Sequence, residues 1–186
     1  MQSVFRIAAA SDADAIATLV NQAYRPAPQE RGWTHESDLV AGARTSSGQV
    51  LDLFGPRSAV LLLCQGPAIV ACVHLQDTGA GVYIGMLASA PARQAQGLGK
   101  RMLAHAERYA VERFGATLFK MSVLSSRPEL SAFYERRGYV RSGGSEDYPL
   151  SAGVGKPVVD GLRLETLTKP APAPPASDPA PVRGNA

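Results

Sequence analysis

The chain has 186 residues, 45% of them hydrophobic, and a formal net charge of +3. That length suits one domain with a full core and a short tail. The basic residues are scattered rather than clustered, which argues against nucleic-acid binding. No apolar signal core opens the chain and no run is long enough to span a bilayer, so no membrane partner is expected and the cytoplasm is the expected compartment. Cys64 and Cys72 sit in two apolar runs separated by Gly66-Pro67, and both read as buried strand residues in a reducing compartment. No metal site is expected.

Phe5-Arg6-Ile7 alternates as a half-buried strand does. Ser11 or Asp12 then caps a helix whose apolar positions Ile16, Leu19, Val20, Ala23 and Tyr24 share one face, with Pro26 and Pro28 ending it. From Gly32 to Thr45 the periodicity is weak, and the segment reads as a short helix with loops, followed by a helix near Gln49 to Phe54. Ser58 to Gln65 is a strongly apolar strand, turned at Gly66-Pro67 into a partner from Ala68 to Gln76. A second turn at residues 77–81 leads into a third strand, Val82 to Ala88. Leu98, Met102, Ala106, Tyr109 and Phe114 repeat at helical spacing, and Gly115 ends that helix. Leu118 to Leu124 is a strand, and Arg127-Pro128-Glu129 opens a helix that closes at Gly138. Strands follow from Tyr139-Val140 and over Leu162 to Leu167. This order predicts an α/β (α+β) architecture, a mixed sheet flanked by helices. From Lys169 the chain becomes Pro- and Ala-rich, which predicts a domain over residues 1–168 and a disordered tail over 169–186.

The stretch from Met86 to Lys100 organises the rest. An apolar strand ends, Pro91 stops it, and a helix begins at Gly97 to Gly99. That order leaves unpaired backbone N–H groups and the positive end of a helix dipole at the strand's exit, a ready anion site. Gly97 and Gly99 lack a Cβ, so a phosphate can approach the main chain, and Lys100 and Arg101 add positive charge. A pyrophosphate-bearing cofactor is the natural occupant. No Gly-x-x-x-x-Gly-Lys-Ser/Thr is present, and Gly97-Leu98-Gly99 lacks the third glycine of a dinucleotide fingerprint. What does fit is Pro-x-x-Gln-x-x-Gly-x-Gly, from Pro91 through Gln94 to Gly97 and Gly99.

In these residues the chain resembles the GCN5-related N-acetyltransferase (GNAT) superfamily, whose Gln/Arg-x-x-Gly-x-Gly/Ala turn holds the pyrophosphate of acetyl-CoA. The resemblance takes in Met86-Leu87-Ala88 before the turn and Phe133-Tyr134-Glu135-Arg136-Arg137-Gly138-Tyr139 after it, and spans about residues 3–168. It implies the acetyltransferase fold, with two strands splayed at the cofactor site. It also implies that acetyl-CoA is held by Gln94, Ala95, Gln96, Gly97, Leu98, Gly99 and Lys100. A backbone N–H among Leu87, Ala88 and Ser89 would grip the thioester carbonyl, and Tyr134 would protonate the leaving sulfur. A phenol suits that last task because it keeps its proton at neutral pH yet matches a thiolate in basicity.

The chain departs from the family pattern in places. No acidic residue stands on Val82 to Leu87, so the general base is left between Glu36, His74 and Tyr83, or solvent alone. Ala95 stands where many relatives have Gly. Arg127 occupies a position where relatives often carry an Asn that reaches the cofactor; its charge either meets a phosphate or sits solvated at a helix start. Trp33 either lines an apolar acceptor pocket or packs its own loop. The acceptor site is expected between residues 32–45, Tyr83 and the Gly-rich segment 143–157, with Trp33, Glu36 and Tyr83 as its contacts. Glu36, Glu146 and Asp147 are candidate attractors of a cationic amine. The expected function is acetyl transfer to a primary amine of a small molecule or peptide, by direct attack in a ternary complex. The second reading is a CoA-binding module without turnover. A homodimer is compatible with the family.

Overall fold

The computed structural model of the chain describes residues 3–30, 32, 33 and 35–172. Strand β1 spans Ser3–Ile7 and helix α1 Ala13–Tyr24; a two-residue strand β2 (Val40–Ala41) and a short helix α2 (Ser47–Leu51) follow. The meander is β3 (Ser58–Gln65), β4 (Ala68–Asp77) and β5 (Val82–Ser89), leading into α3 (Leu98–Phe114). Then come β6 (Leu118–Leu124), α4 (Pro128–Glu135), β7 (Val140–Asp147), β8 (Lys156–Pro157) and β9 (Arg163–Pro170). Seven strands form one mixed sheet in the order β1-β3-β4-β5-β6-β9-β7, while β2 and β8 pair separately.

β3 is apolar along nearly its whole length because it is covered on both faces. Leu61 and Leu63 pack with Met102, Leu103 and Ala106 of α3. Val60, Leu62 and Cys64 pack with Ile16, Leu19 and Val20 of α1. Ile16 and Val20 are fully buried, each stabilising the fold by about 1.5–3 kcal/mol. Cys64 and Cys72 are buried free thiols, and burial pushes the Cys72 thiol up to about 12.

The sheet opens where β5 meets β6. The two are parallel and paired only at Val82↔Phe119 and Tyr83↔Lys120; beyond Tyr83 they part. On the other side of β5 the register jumps from His74↔Gly85 to Cys72↔Ala88, so Met86 and Leu87 oppose the single Val73. This bulge holds Met86 at φ 52, a left-handed conformation that non-glycine residues rarely adopt. A bulge turns a strand away from its neighbours, which is what separates β5 from β6 here.

Four details differ from the sequence reading. Asp12 ends a 3-10 turn and precedes α1 but makes no side-chain cap to it. Its carboxylate instead accepts the Ala9 N–H at 2.8 Å and a bidentate pair from Arg6, which holds it down at about 2. Among the described residues, 32–45 hold no α-helix; buried arginines organise them, as set out below. α2 lies over Ser47–Leu51 rather than 49–54, because Ser46 and Gln49 form a reciprocal capping box. The boundary expected at Lys169 falls inside β9. Lys169 Nζ donates to Glu107 Oε2 at 2.7 Å and the Ala171 N–H to Thr117 O at 2.9 Å, so the folded chain continues past it. Residues 173–186 of the expected tail lie outside the described residues. No described helix is long and apolar enough to cross a membrane.

Candidate active site

The turn between β5 and α3 is built as an anion cradle. Pro91–Arg93 forms one 3-10 turn; Ala95 then sits at φ 65 and Gly97 at φ 73, and α3 starts at Leu98 without a side-chain cap. The first amides of α3 therefore lack intrahelical partners and point along its positive end. A Cβ built on Gly97 would meet nothing within 4 Å, so the main chain there faces open space. That space is a cavity of about 680 Å³, whose charged lining residues are Lys100, Arg136 and Arg137, with no carboxylate among them. An uncapped helix start and three cations around a groove of this size fit a diphosphate-bearing ligand such as acetyl-CoA.

Of the residues expected at the cofactor, 87–89, Gln94, Ala95 and 97–100 line this cavity; Gln96 and Arg127 do not. Gln96 is exposed. Gln94 acts partly as a brace: its Oε1 accepts the Trp33 N–H and its Nε2 donates to Ser89 O at 3.4 Å. Arg127 is buried at 7% exposure and is neither solvated nor at a phosphate. Its guanidinium donates to the carbonyls of His35 at 2.9 Å and Trp33 at 2.8 Å and pairs with Glu129. It thus ties the 33–35 loop to the start of α4. Trp33 also departs from expectation: its ring lies 5.5 Å from Phe133 and walls the large cavity, not the smaller one where an acceptor was expected.

The smaller cavity, about 180 Å³, occupies the gap between the parted strands. Its lining draws on Tyr83 to Leu87 of β5, on Met121 to Leu124 of β6, and on Glu36, Arg44, Tyr148, Pro149, Ala152 and Val154. Tyr24, Leu87, Leu130 and Tyr134 belong to both cavities, so the two meet at these side chains. Tyr134 is 7% exposed and packs edge-on against Phe133 and Tyr139. Burial, with Tyr83 and Glu36 nearby, pushes its phenol well above the usual range, so it stays protonated. Tyr24 donates its hydroxyl to Leu87 O at 2.8 Å, which fixes the bulge from the α1 side. Gly85 makes room for Tyr83: a Cβ there would stand 2.8 Å from the Tyr83 ring.

The candidate bases separate. Tyr83 and Glu36 line the small cavity; His74 lines neither. The His74 ring sits 2.8 Å from Ser58 Oγ on β3, and desolvation lowers it to about 4, which favours the neutral ring. Glu36 is 9% exposed and ion-paired with Arg25 at 2.8 Å. Glu146 and Asp147 lie outside the cavity, with Asp147 bound to Arg163 at 2.6 Å. The sequence reading did not name Tyr24, Arg136 or Arg137 as cavity residues, and it reached Arg44 and Tyr148 only through the segments 32–45 and 143–157 expected at the acceptor site. Of the unnamed residues, the adjacent Arg136-Arg137 pair after the Phe-Tyr helix carried a signal of its own, a local excess of positive charge.

Comparison with known proteins agrees with this fold. The chain superimposes on the ribosomal-protein-S18-alanine N-acetyltransferase of Escherichia coli with a TM-score of 0.69 at 18% identity, covering 94% of this chain and 97% of that one. An N-acetyltransferase from Staphylococcus aureus gives a TM-score of 0.69 at 12% identity, covering 92% and 99%. A chimeric spermidine N-acetyltransferase built partly from the Vibrio cholerae protein gives 0.64 at 13%, covering 92% and 96%. At these identities the likeness is one of fold. No curated protein sequence matches the chain. The sequence profile of the acetyltransferase (GNAT) family matches residues 14–139, and the chain belongs to that family.

Proposed function

We propose that this protein transfers an acetyl group from acetyl-CoA to a primary amine held in the smaller cavity. The observation that carries the reading is the placement of Tyr134, a buried phenol shared by the large cation-lined cavity and the small one. The α3 amides, Lys100, Arg136 and Arg137 hold the diphosphate end of the cofactor. Acetyl-CoA bound there supplies an activated thioester at the junction. A bulge leaves ladder groups unpaired, and Leu87 stands in it and lines both cavities, so its main-chain N–H is assigned to the thioester carbonyl. Tyr134 gives its phenolic proton to the departing sulfur as the new C–N bond forms and the C–S bond breaks. The amine's proton leaves to water through the mouth of the small cavity. Glu36 shapes that mouth through its pair with Arg25, and Tyr83 walls it.

The direct test is thiol release from acetyl-CoA across a panel of primary amines, with CoA affinity measured in parallel. Amine-dependent release with formation of the acetylated amine supports transfer. CoA binding with no release for any acceptor supports a binding module that keeps the fold without turnover.

A further inference from the structure

Given the transferase reading, we infer that Arg44 selects acceptors that carry a carboxylate beside the amine. Glu36 and Arg44 supply the charges of the small cavity's lining. Glu36 is already matched: Arg25, itself buried, donates to Glu36 Oε2 at 2.8 Å and also reaches Val154 O at 3.4 Å. Arg44 forms no ion pair among the described residues; its guanidinium lies 5.6 Å from the Tyr24 ring centroid. The cavity therefore presents a net positive charge, and a polyamine or other cationic acceptor would meet repulsion rather than the attraction expected from Glu36.

The position of Arg44 is built rather than incidental. Asn21 of α1 accepts the Arg44 N–H at 2.7 Å and the Thr45 N–H at 3.2 Å, and its Nδ2 donates to Thr45 O at 2.9 Å. One side chain thus clamps two successive residues of the loop to a core helix. The guanidinium stands beside Tyr24, which reaches the bulge through Leu87 O, so a carboxylate on Arg44 is placed near the junction where the amine must react. The rest of the lining carries no charge and mixes aliphatic Met121, Val123 and Leu164 with the hydroxyl-bearing Tyr83, Ser122 and Tyr148, so Arg44 is the group there that can pair with a carboxylate. A small α-amino acid has this combination of groups.

The test compares leucine, methionine and phenylalanine with their amides and with the corresponding decarboxylated amines, plus spermidine, in the thiol-release assay. The free acids should exceed their amides in kcat/KM by roughly 10- to 100-fold, the range of one charge-assisted hydrogen bond. Arg44→Ala should erase that preference chiefly through the acceptor KM, leaving the acetyl-CoA KM and the melting temperature unchanged. Arg44→Lys should restore part of it, since it keeps the charge but not the fork. Equal use of acids and amides, better use of spermidine, or a preference that survives in Arg44→Ala would overturn the inference. If wild type binds CoA but releases no thiol with any amine, the transferase reading fails instead. Ligand-observed NMR on the CoA complex then decides separately. Leucine contacting wild type but not Arg44→Ala, with leucinamide contacting neither, upholds the carboxylate site; no difference between leucine and leucinamide removes it.

Discussion

Gly97→Ala separates the role of the phosphate turn in folding from its role in binding. Gly97 sits at φ 73, where an L residue costs about 1–2 kcal/mol. A Cβ there meets nothing within 4 Å, so no steric penalty within the protein adds to that strain. For a chain of this size the expected loss is about 2–8 °C in Tm. The same methyl projects into the space assigned to the diphosphate and would displace it from the first amides of α3. A hydrogen bond to a charged group is worth about 1.5–3 kcal/mol, so losing one should raise the CoA Kd about 10- to 150-fold. Calorimetric titration with CoA, alongside thermal unfolding by circular dichroism, reads both quantities. Ala95→Gly is the matched control. Ala95 holds φ 65 in the same turn, so glycine there should raise Tm by about 2–4 °C, which checks the strain argument by itself. If Gly97→Ala binds CoA as tightly as wild type, the main chain at α3 does not hold the diphosphate, and the site assignment falls.

Tyr134→Phe keeps the ring packing and removes the proton, so kcat should drop about 100-fold while CoA affinity stays near wild type; an unchanged rate removes Tyr134 as the acid. Arg127→Ala frees the carbonyls of Trp33 and His35 and should lower stability by about 2–4 kcal/mol, read as a shifted denaturant midpoint. A midpoint equal to wild type would show that the strut is unnecessary. His74 falls from its ordinary 6.5 to about 4 on folding, so the unfolded chain binds its proton more readily. The stability it contributes is present above pH 6.5 and is lost as pH falls towards 4, by about 3 kcal/mol. His74→Gln should flatten that stretch of the stability profile; the same acid slope in the variant assigns the loss to other groups.

Local chemistry carried most of the fold into view from the residues alone. Continuous apolar runs bounded by Gly-Pro and Asp-Thr-Gly turns located β3, β4 and β5, because a strand covered on both faces must be apolar throughout. Glycines at Gly97 and Gly115 bracket α3, since each must adopt a positive φ that other residues resist. The glycine turn and the Phe-Tyr helix were legible because each is a contiguous stretch with its own residue pattern. The loop over residues 32–45 was misread because its order comes from Arg25 and Arg127, which arrive from distant parts of the chain.

What the sequence by itself determined is therefore the order of elements, the cradle at Gly97 and the identity of Tyr134 as a residue of interest. Only the tertiary structure decided where β5 and β6 part, that Tyr134 belongs to both cavities, and which ionisable groups line the smaller one. Glu36 looked like an open negative charge, and burial beside Arg25 matched it; Arg127 looked like a phosphate contact, and the carbonyls of Trp33 and His35 claimed it. The fate of a charge depends on its neighbours in space, and those neighbours are set by packing between segments far apart in the chain.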